Sequence, residues 1–261
     1  MTGNIYTTEK IGERTYRIDE GGRDNCYLLL GNEKALLIDS SIGTGDLVSV
    51  VRSITDLPII VAATHTHGDH TGGACLFKEV YVHKSECSLK FRMLNLRNVR
   101  ADLISNRMKK SGVKRSDIKG SVLKTRWIPF EEGKTFDLGG RTVGTVHTPG
   151  HSPGSTVFLD EGEKKMFTGD NVCPALLMKV IFALSIEKWL PGAERTLALC
   201  NEYEPWGGHA DGRESKAQIE KLIEYAREIL EKYPENKKSK KAVYPSFSSD
   251  GCIIFDEARV H

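Results

Sequence analysis

The chain has no Cys-x-x-Cys pair, and its six cysteines, at positions 26, 75, 87, 173, 200 and 252, are too scattered for a disulfide framework. A structural zinc site built on thiolates is therefore excluded, and reduced thiols in a cytoplasm are expected. There is no apolar N-terminal core with a cleavage site: residues Met1 to Ile11 are polar and irregular, so no secretion signal is expected. The mostly apolar stretch Cys173 to Leu184, with Lys179 as its one charge, is far too short to cross a bilayer as a helix. It is expected to be buried or half-buried, either lining a substrate pocket or forming a homodimer contact. Three enzyme signatures are also missing. Gly133-Lys134-Thr135 is not the end of a phosphate-binding loop, because the required earlier glycine falls at Ile128. Gly43-Thr44-Gly45 has no third glycine for a dinucleotide fingerprint. Gly150-His151-Ser152-Pro153-Gly154 spells a nucleophile elbow, but the residue after the serine must give its N–H to an oxyanion and Pro153 has none.

What the chain does have is a concentration of imidazole. Thr64-His65-Thr66-His67-Gly68-Asp69-His70 places three histidines and a carboxylate in six consecutive positions, directly after the apolar Pro58 to Ala63. Groups that lose their charge near neutral pH have no reason to cluster in water-facing chain, whereas borderline-soft divalent metals take neutral ring nitrogens and carboxylate oxygens. On an extended exit from a strand His65 and His67 point to one side, with Asp69 and His70 a step further round a turn. Two neighbouring ions can share such a segment. Two further histidines, His147 and His151, flank Thr148-Pro149-Gly150, and spacing alone does not decide which ring faces the metals.

The histidine motif, with Leu37-Ile38-Asp39, Thr148-Pro149-Gly150-His151-Ser152-Pro153-Gly154, Thr168-Gly169-Asp170 and Gly207-Gly208-His209, resembles the metallo-beta-lactamase superfamily over most of the chain, in an order that suits its glyoxalase II-like branch. The resemblance implies a four-layer αββα sandwich of the α/β class. It implies that His65, His67 and His151 bind one metal, that Asp69, His70 and His209 bind a second, and that Asp170 bridges them. Asp69 and Asp170 then count as catalytic carboxylates as well as ligands. Asp39 would support the site without binding metal. The implied cofactors are two divalent ions, zinc first, with iron or manganese as alternatives.

Four positive charges less Asp69, Asp170 and one hydroxide leave such a centre about one unit positive, attractive to anions, and able to lower the pKa of bound water to about 7. The expected reaction is attack of metal-bound hydroxide on a thioester, ester or lactone carbonyl of a small, acidic molecule. A mononuclear iron dioxygenase acting on a persulfide, or a phosphodiesterase or nuclease, is the alternative on the same fold.

The 261 residues, 39% hydrophobic, are expected to form one domain. Short strands are expected at Tyr16 to Ile18, Cys26 to Leu30 and Ala35 to Ile38, with a Gly31-Asn32 turn between the last two. A helix opens at an Asp46 cap. The second half echoes this with Val157 to Leu159, a polar turn, and Met166 to Thr168, so that an aspartate follows the hairpin in both halves. Asp211 and Glu214 read as a reciprocal cap of a final helix with the stripe Ile219, Leu222, Ile223, Ala226, Ile229 and Leu230. Charge is uneven. Segment 84–126 carries 13 Lys and Arg against three acidic residues, a surplus of ten in a chain whose net charge is +2. Leu89, Met93, Leu96, Leu103 and Ile104 fit a helical stripe there, so a basic helical insertion is expected, whether a solvated face or a rim that draws acidic substrates. With Phe91 and Trp127 as its only nearby stacking aromatics, the segment argues against nucleic acid.

Overall fold

The computed structural model describes residues 5–88, 90–91, 125–234, 241–248 and 251–261. The helical stripe expected within 84–126 lies almost wholly outside the described residues; its flanks are a 3-10 turn at Lys84–Glu86 and a strand that opens at Arg126.

Seven strands form the first sheet in sequential order: β1 (Tyr6–Lys10), β2 (Thr15–Glu20), β3 (Asp24–Leu30), β4 (Ala35–Ile38), β5 (Ile59–Ala62), β6 (Glu79–His83) and β7 (Arg126–Phe130). The first four pair antiparallel as hairpins, and the last four run parallel. The expected turn after β3 is present: Gly31 N–H donates to Lys34 O, and Tyr27 pairs with Ile38. A second sheet has the order β13-β11-β10-β9-β8, built from β8 (Phe136–Asp137), β9 (Thr142–His147), β10 (Thr156–Asp160), β11 (Lys165–Gly169) and β13 (Glu204–Gly207).

Side-chain alternation explains the layering. Tyr27 and Leu29 on β3, with Leu36 and Ile38 on β4, face the second sheet and pack with Phe136, Val143, Phe158, Phe167 and Trp206. Their neighbours Cys26, Leu28, Ala35 and Leu37 face the other way. That face is covered by helix α1 (Leu47–Ile54), whose Leu47, Val50 and Val51 are buried and whose first turn is capped by Asp46, accepting from Ser49 N–H at 3.1 Å. The outer face of the second sheet, with Val157, Leu159 and Met166, packs under Leu199 and Cys200 at the end of α3 (Ile186–Leu199). The order is helix, sheet, sheet, helix. A third sheet was not foreseen: β12 (Ala175–Leu177) pairs parallel with β15 (Gly251–Asp256), which pairs antiparallel with β14 (Lys241–Ser248).

The final helix, α4 (Lys216–Lys232), buries the expected stripe except Leu230, which is half-buried. Its cap differs from expectation. Ser215 is the capping residue, accepting from Gln218 N–H at 3.2 Å, while Asp211 closes only a local turn to Arg213 N–H. Glu214 is turned inward and accepts from Thr168 Oγ1 at 2.8 Å. The cap sequence was misread because Ser215, one residue later, offers the same chemistry without taking Glu214 out of the interior.

One buried ion pair joins the two sheets. Arg141, before β9, holds Asp160 at the end of β10 with two bonds of 2.9 and 2.6 Å, and its guanidinium also donates to Arg14 O, Leu30 O and Thr15 Oγ1 in the first sheet. Removing one partner leaves the other buried and unpaired, at a cost of about 3–5 kcal/mol. Arg141→Met should therefore lower unfolding stability in urea by about that amount, and a loss within ordinary surface variation would mean that the sheets are held by apolar packing alone.

Candidate metal centre

The histidine motif leaves β5 at the edge where both sheets end. His67 precedes the short helix α2 (Gly68–Thr71), which carries Asp69 and His70. His151 lies in the loop from β9 to β10, Asp170 follows β11 and His209 follows β13. Both hairpin-end aspartates thus arrive at one place: Asp39 after β4 and Asp170 after β11.

Three ring nitrogens converge in the first group. His67 Nδ1 is 3.0 Å from His65 Nε2 and 2.9 Å from His151 Nε2. Each ring is held from behind. His65 Nδ1 lies 3.1 Å from Thr64 Oγ1, whose own proton goes to Asp39, so the ring is the donor there. His151 Nδ1 donates to Leu177 O at 3.0 Å, and His67 Nε2 faces Ile181 O at 3.4 Å. With the outer nitrogen of each ring carrying the proton, the inner nitrogens present lone pairs to a common point. Burial and the neighbouring rings hold His65 well below an ordinary imidazole, and burial with His67 and His70 brings His151 down to about 3. His65 and His151 stay neutral, as metal ligation requires.

The second group is carboxylate-rich. His70 Nε2 is 3.2 Å from Asp170 Oδ1 and 4.0 Å from Asp69 Oδ1; His209 Nε2 is 3.0 Å from Asp170 Oδ2 and 3.8 Å from Asp69 Oδ2. His70 Nδ1 donates to Asp39 Oδ2 at 2.9 Å, and His209 Nδ1 to Arg23 O at 2.8 Å. Burial alone would push both rings down, but Asp170 with its neighbouring carboxylates overcomes it and holds them well above the usual value. His70 Nε2 and Asp170 Oδ1 are buried with no hydrogen-bond partner. The two atoms face each other, so a proton on the ring satisfies both in the absence of a cation, and a divalent ion that displaces it satisfies both as well. Combinations of these residues bring three ligand atoms within 4.8 Å of one another: His65, His67 and His151; His65, His70 and Asp170; Asp69, His70 and His209. All seven residues expected from the sequence therefore lie together, and their donor set suits borderline-soft divalent ions. Gly208 is required by this closeness, since a Cβ there would stand 2.6 Å from His70 Cε1 and 2.7 Å from Asp170 Oδ1.

His147 lies apart from the group. Its Nε2 is 2.9 Å from Pro153 O, and its ring stacks on His83 at 3.9 Å between centroids. His261, at the chain end, bonds Tyr233 O.

Sequence reading missed three carboxylates. Glu86, fully buried, accepts from Thr66 N–H (2.8 Å), Thr66 Oγ1 (2.6 Å) and Gly154 N–H (2.7 Å), tying the loop of His65 and His67 to the loop of His151. Asp24, buried, lies 3.3 Å from His209 Nδ1. Glu214, behind Asp170, is pushed up to about 8 by burial. Loss of a group that orients a ligand costs about 10–100-fold in metal affinity. Glu86→Ala should weaken zinc binding by about that factor in a chelator competition; unaltered affinity would mean that the two loops hold their register without it.

The family model of the metallo-beta-lactamase superfamily matches residues 20–222. Over 193 residues, 69% of this chain, the sequence is 32% identical to an acyl-coenzyme A thioesterase, MBLAC2, of Gallus gallus, of whose length the match covers 65%. It is 33% identical over 152 residues, 57% of this chain, to the atrochrysone carboxyl ACP thioesterase of Aspergillus fumigatus, covering 29% of that protein. The chain thus spans less than two thirds of the length of these relatives. Among solved structures, a metallo-beta-lactamase from Pontibacter korlensis superposes with a TM-score of 0.61 at 17% identity, over 84% of this chain and 97% of that one. The chain belongs to the metallo-beta-lactamase superfamily.

Proposed function

We propose that this chain is a metal-dependent hydrolase of thioesters, in which His65, His67 and His151 hold one divalent ion, Asp69, His70 and His209 hold a second, and Asp170 is shared. The observation that carries the reading is the set of five imidazoles whose outer nitrogens are engaged and whose inner nitrogens point at one another and at two carboxylates. The thioester comes from the printed names of the relatives, which act on acyl-coenzyme A and on an acyl group carried by a carrier protein. The same reading takes residues 1–261 as one domain, with the basic 84–126 segment as an insertion.

Bound divalent ions supply Lewis acidity, which makes water nucleophilic near neutral pH and polarises a carbonyl. The chain's own residues supply position. Asp39 keeps the proton on His70 Nδ1 and, through Thr64, steadies His65. The backbone carbonyls of Leu177 and Arg23 orient His151 and His209. The side chains of His65, His70 and His151 are sealed from solvent, whereas those of Asp69 and His209 are 25% and 32% exposed. Water and substrate therefore enter on the Asp69–His209 side, where the Asp69 carboxylate accepts a hydrogen bond from the attacking water and aims it. Water adds to the carbonyl carbon, the carbon–sulfur bond breaks, and a carboxylic acid and a thiol leave.

The test joins metal content to a substrate panel. Purified protein should hold about two zinc or manganese ions per chain and turn over an acyl-coenzyme A faster than a lactone, a phosphodiester or a β-lactam. One iron with oxygen uptake on a persulfide would favour the dioxygenase instead. His151→Ala should lose metal and about 100-fold or more of the activity, while His147→Ala should retain both; the reverse pattern would overturn the assignment.

A further inference from the structure

An apolar turn stands over His67. Ala183 N–H donates to Val180 O at 3.0 Å, closing a four-residue turn with Ile181 and Phe182 at its centre. Phe182 has a φ of +69°, whereas Ile181 is not among the positive-φ residues. That is the pattern of a type II turn, whose third position belongs to glycine or asparagine. A bulky aromatic there is strained and persists only where its surroundings fix it. They do. Arg259 Nη1 donates to both Val180 O (2.7 Å) and Ala183 O (3.2 Å), and Leu184 N–H donates to Gly150 O at 2.8 Å, next to His151. The ring of Phe91 packs on that of Phe182 at 4.6 Å, with Lys90 Nζ 4.4 Å from its centroid.

Orienting His67 does not explain the side chains. Only the carbonyl of Ile181 faces that ring, and a glycine at 182 would form the same turn without strain. Ile181 is 40% exposed, the one large apolar side chain so exposed among the described residues. A lone exposed apolar residue is ordinary on a protein surface; one displayed on a strained, pinned turn, a single residue from the candidate metal centre, calls for an apolar ligand.

The geometry points to the Val180–Ala183 turn as the wall that receives the apolar chain of the acyl group, which runs outward from the metal centre over Ile181 and Phe182. The inference rests on the thioester reading and deepens it. The two arms of a thioester differ in chemistry. The pantetheine arm carries amides that need hydrogen-bond partners, whereas an alkyl chain needs only apolar surface removed from water. The tip of this turn offers the second.

Ile181→Ser and Phe182→Gly in the full, metal-loaded chain provide the test, the second chosen because glycine accepts the positive φ and keeps the turn. Two ratios are read in each: kcat/KM for dodecanoyl- over acetyl-coenzyme A, and affinity for S-dodecyl- over S-ethyl-coenzyme A, thioethers with no carbonyl to cleave. Both ratios should fall about tenfold, the effect of withdrawing roughly two methylenes from apolar contact, with bound metal unchanged. Ratios that stay at the parent value in both variants overturn the proposal. So does a loss of metal in step with turnover, because the turn would then be serving His67. A parent that prefers the dodecyl thioether yet cleaves no thioester overturns the thioester reading and leaves the wall supported as an alkyl site. A parent that cleaves thioesters without chain preference overturns the wall alone.

Discussion

Five histidine rings at the edge of the sandwich are each gripped by the nitrogen that faces away from the centre, by Thr64, Ile181 O, Asp39, Leu177 O and Arg23 O. Fixing the outer nitrogen aims the inner one, so five inner nitrogens and the carboxylates of Asp69 and Asp170 are brought into one volume. There the inner nitrogens of His70 and His209 face Asp170, and those of His65, His67 and His151 face one another. The gripping groups come from separate elements: the chain just after β4 and β5, the residue before β3, the last residue of β12 and the turn that follows it. Glu86 fastens the loop of His65 and His67 to that of His151, and the Arg141–Asp160 pair fastens the two sheets whose ends carry them.

The centre is electrostatically divided. His65 and His151 are held low by burial, while Asp170 and its neighbouring carboxylates hold His70 and His209 high. A site of this kind exchanges protons for metal rather than accepting metal into a vacuum. An ion held by the second group would displace the protons on His70 and His209, which would tie its affinity to pH. Burial of the first group and partial exposure of Asp69 and His209 sharpen the contrast, because water can relax charge on one side only.

How much of this the sequence disclosed follows from distance along the chain. His65 to His70 are contiguous and the strand feeding them is apolar, so their meeting was legible, as were the β3–β4 hairpin and the Asp46 cap, all of them local. The choice between His147 and His151 was not local: it came from resemblance, and in the fold His147 bonds Pro153 O and stacks on His83. Glu86 was invisible because its partners lie 20 and 68 residues away and it stands in a segment read for its surplus of basic residues. The third sheet was missed for the same reason, since Ala175–Leu177 finds its parallel partner only at Cys252 to Ile254. The Asp211 cap failed in the opposite way, by trusting a local pattern where Glu214 was needed inside, against Thr168.

The division between what was legible and what was not is also a division of labour within the fold. The candidate ligand residues stand at or just beyond strand ends, within the stretch that the superfamily model matches. What surrounds the centre is of different make. The 84–126 segment carries a surplus of ten positive charges, and the 173–184 segment is apolar and ends in a strained turn. Both reach the centre through the ligand loops, the first at Glu86 and the second at Ile181 O and Leu177 O. A change at Glu86 or in the chain from Leu177 to Ile181 reaches the histidines through those same contacts. Backbone carbonyls and one carboxylate thus tie the chain around the candidate centre to the aim of its histidines, so neither Glu86 nor Ile181 can shift without the centre registering it.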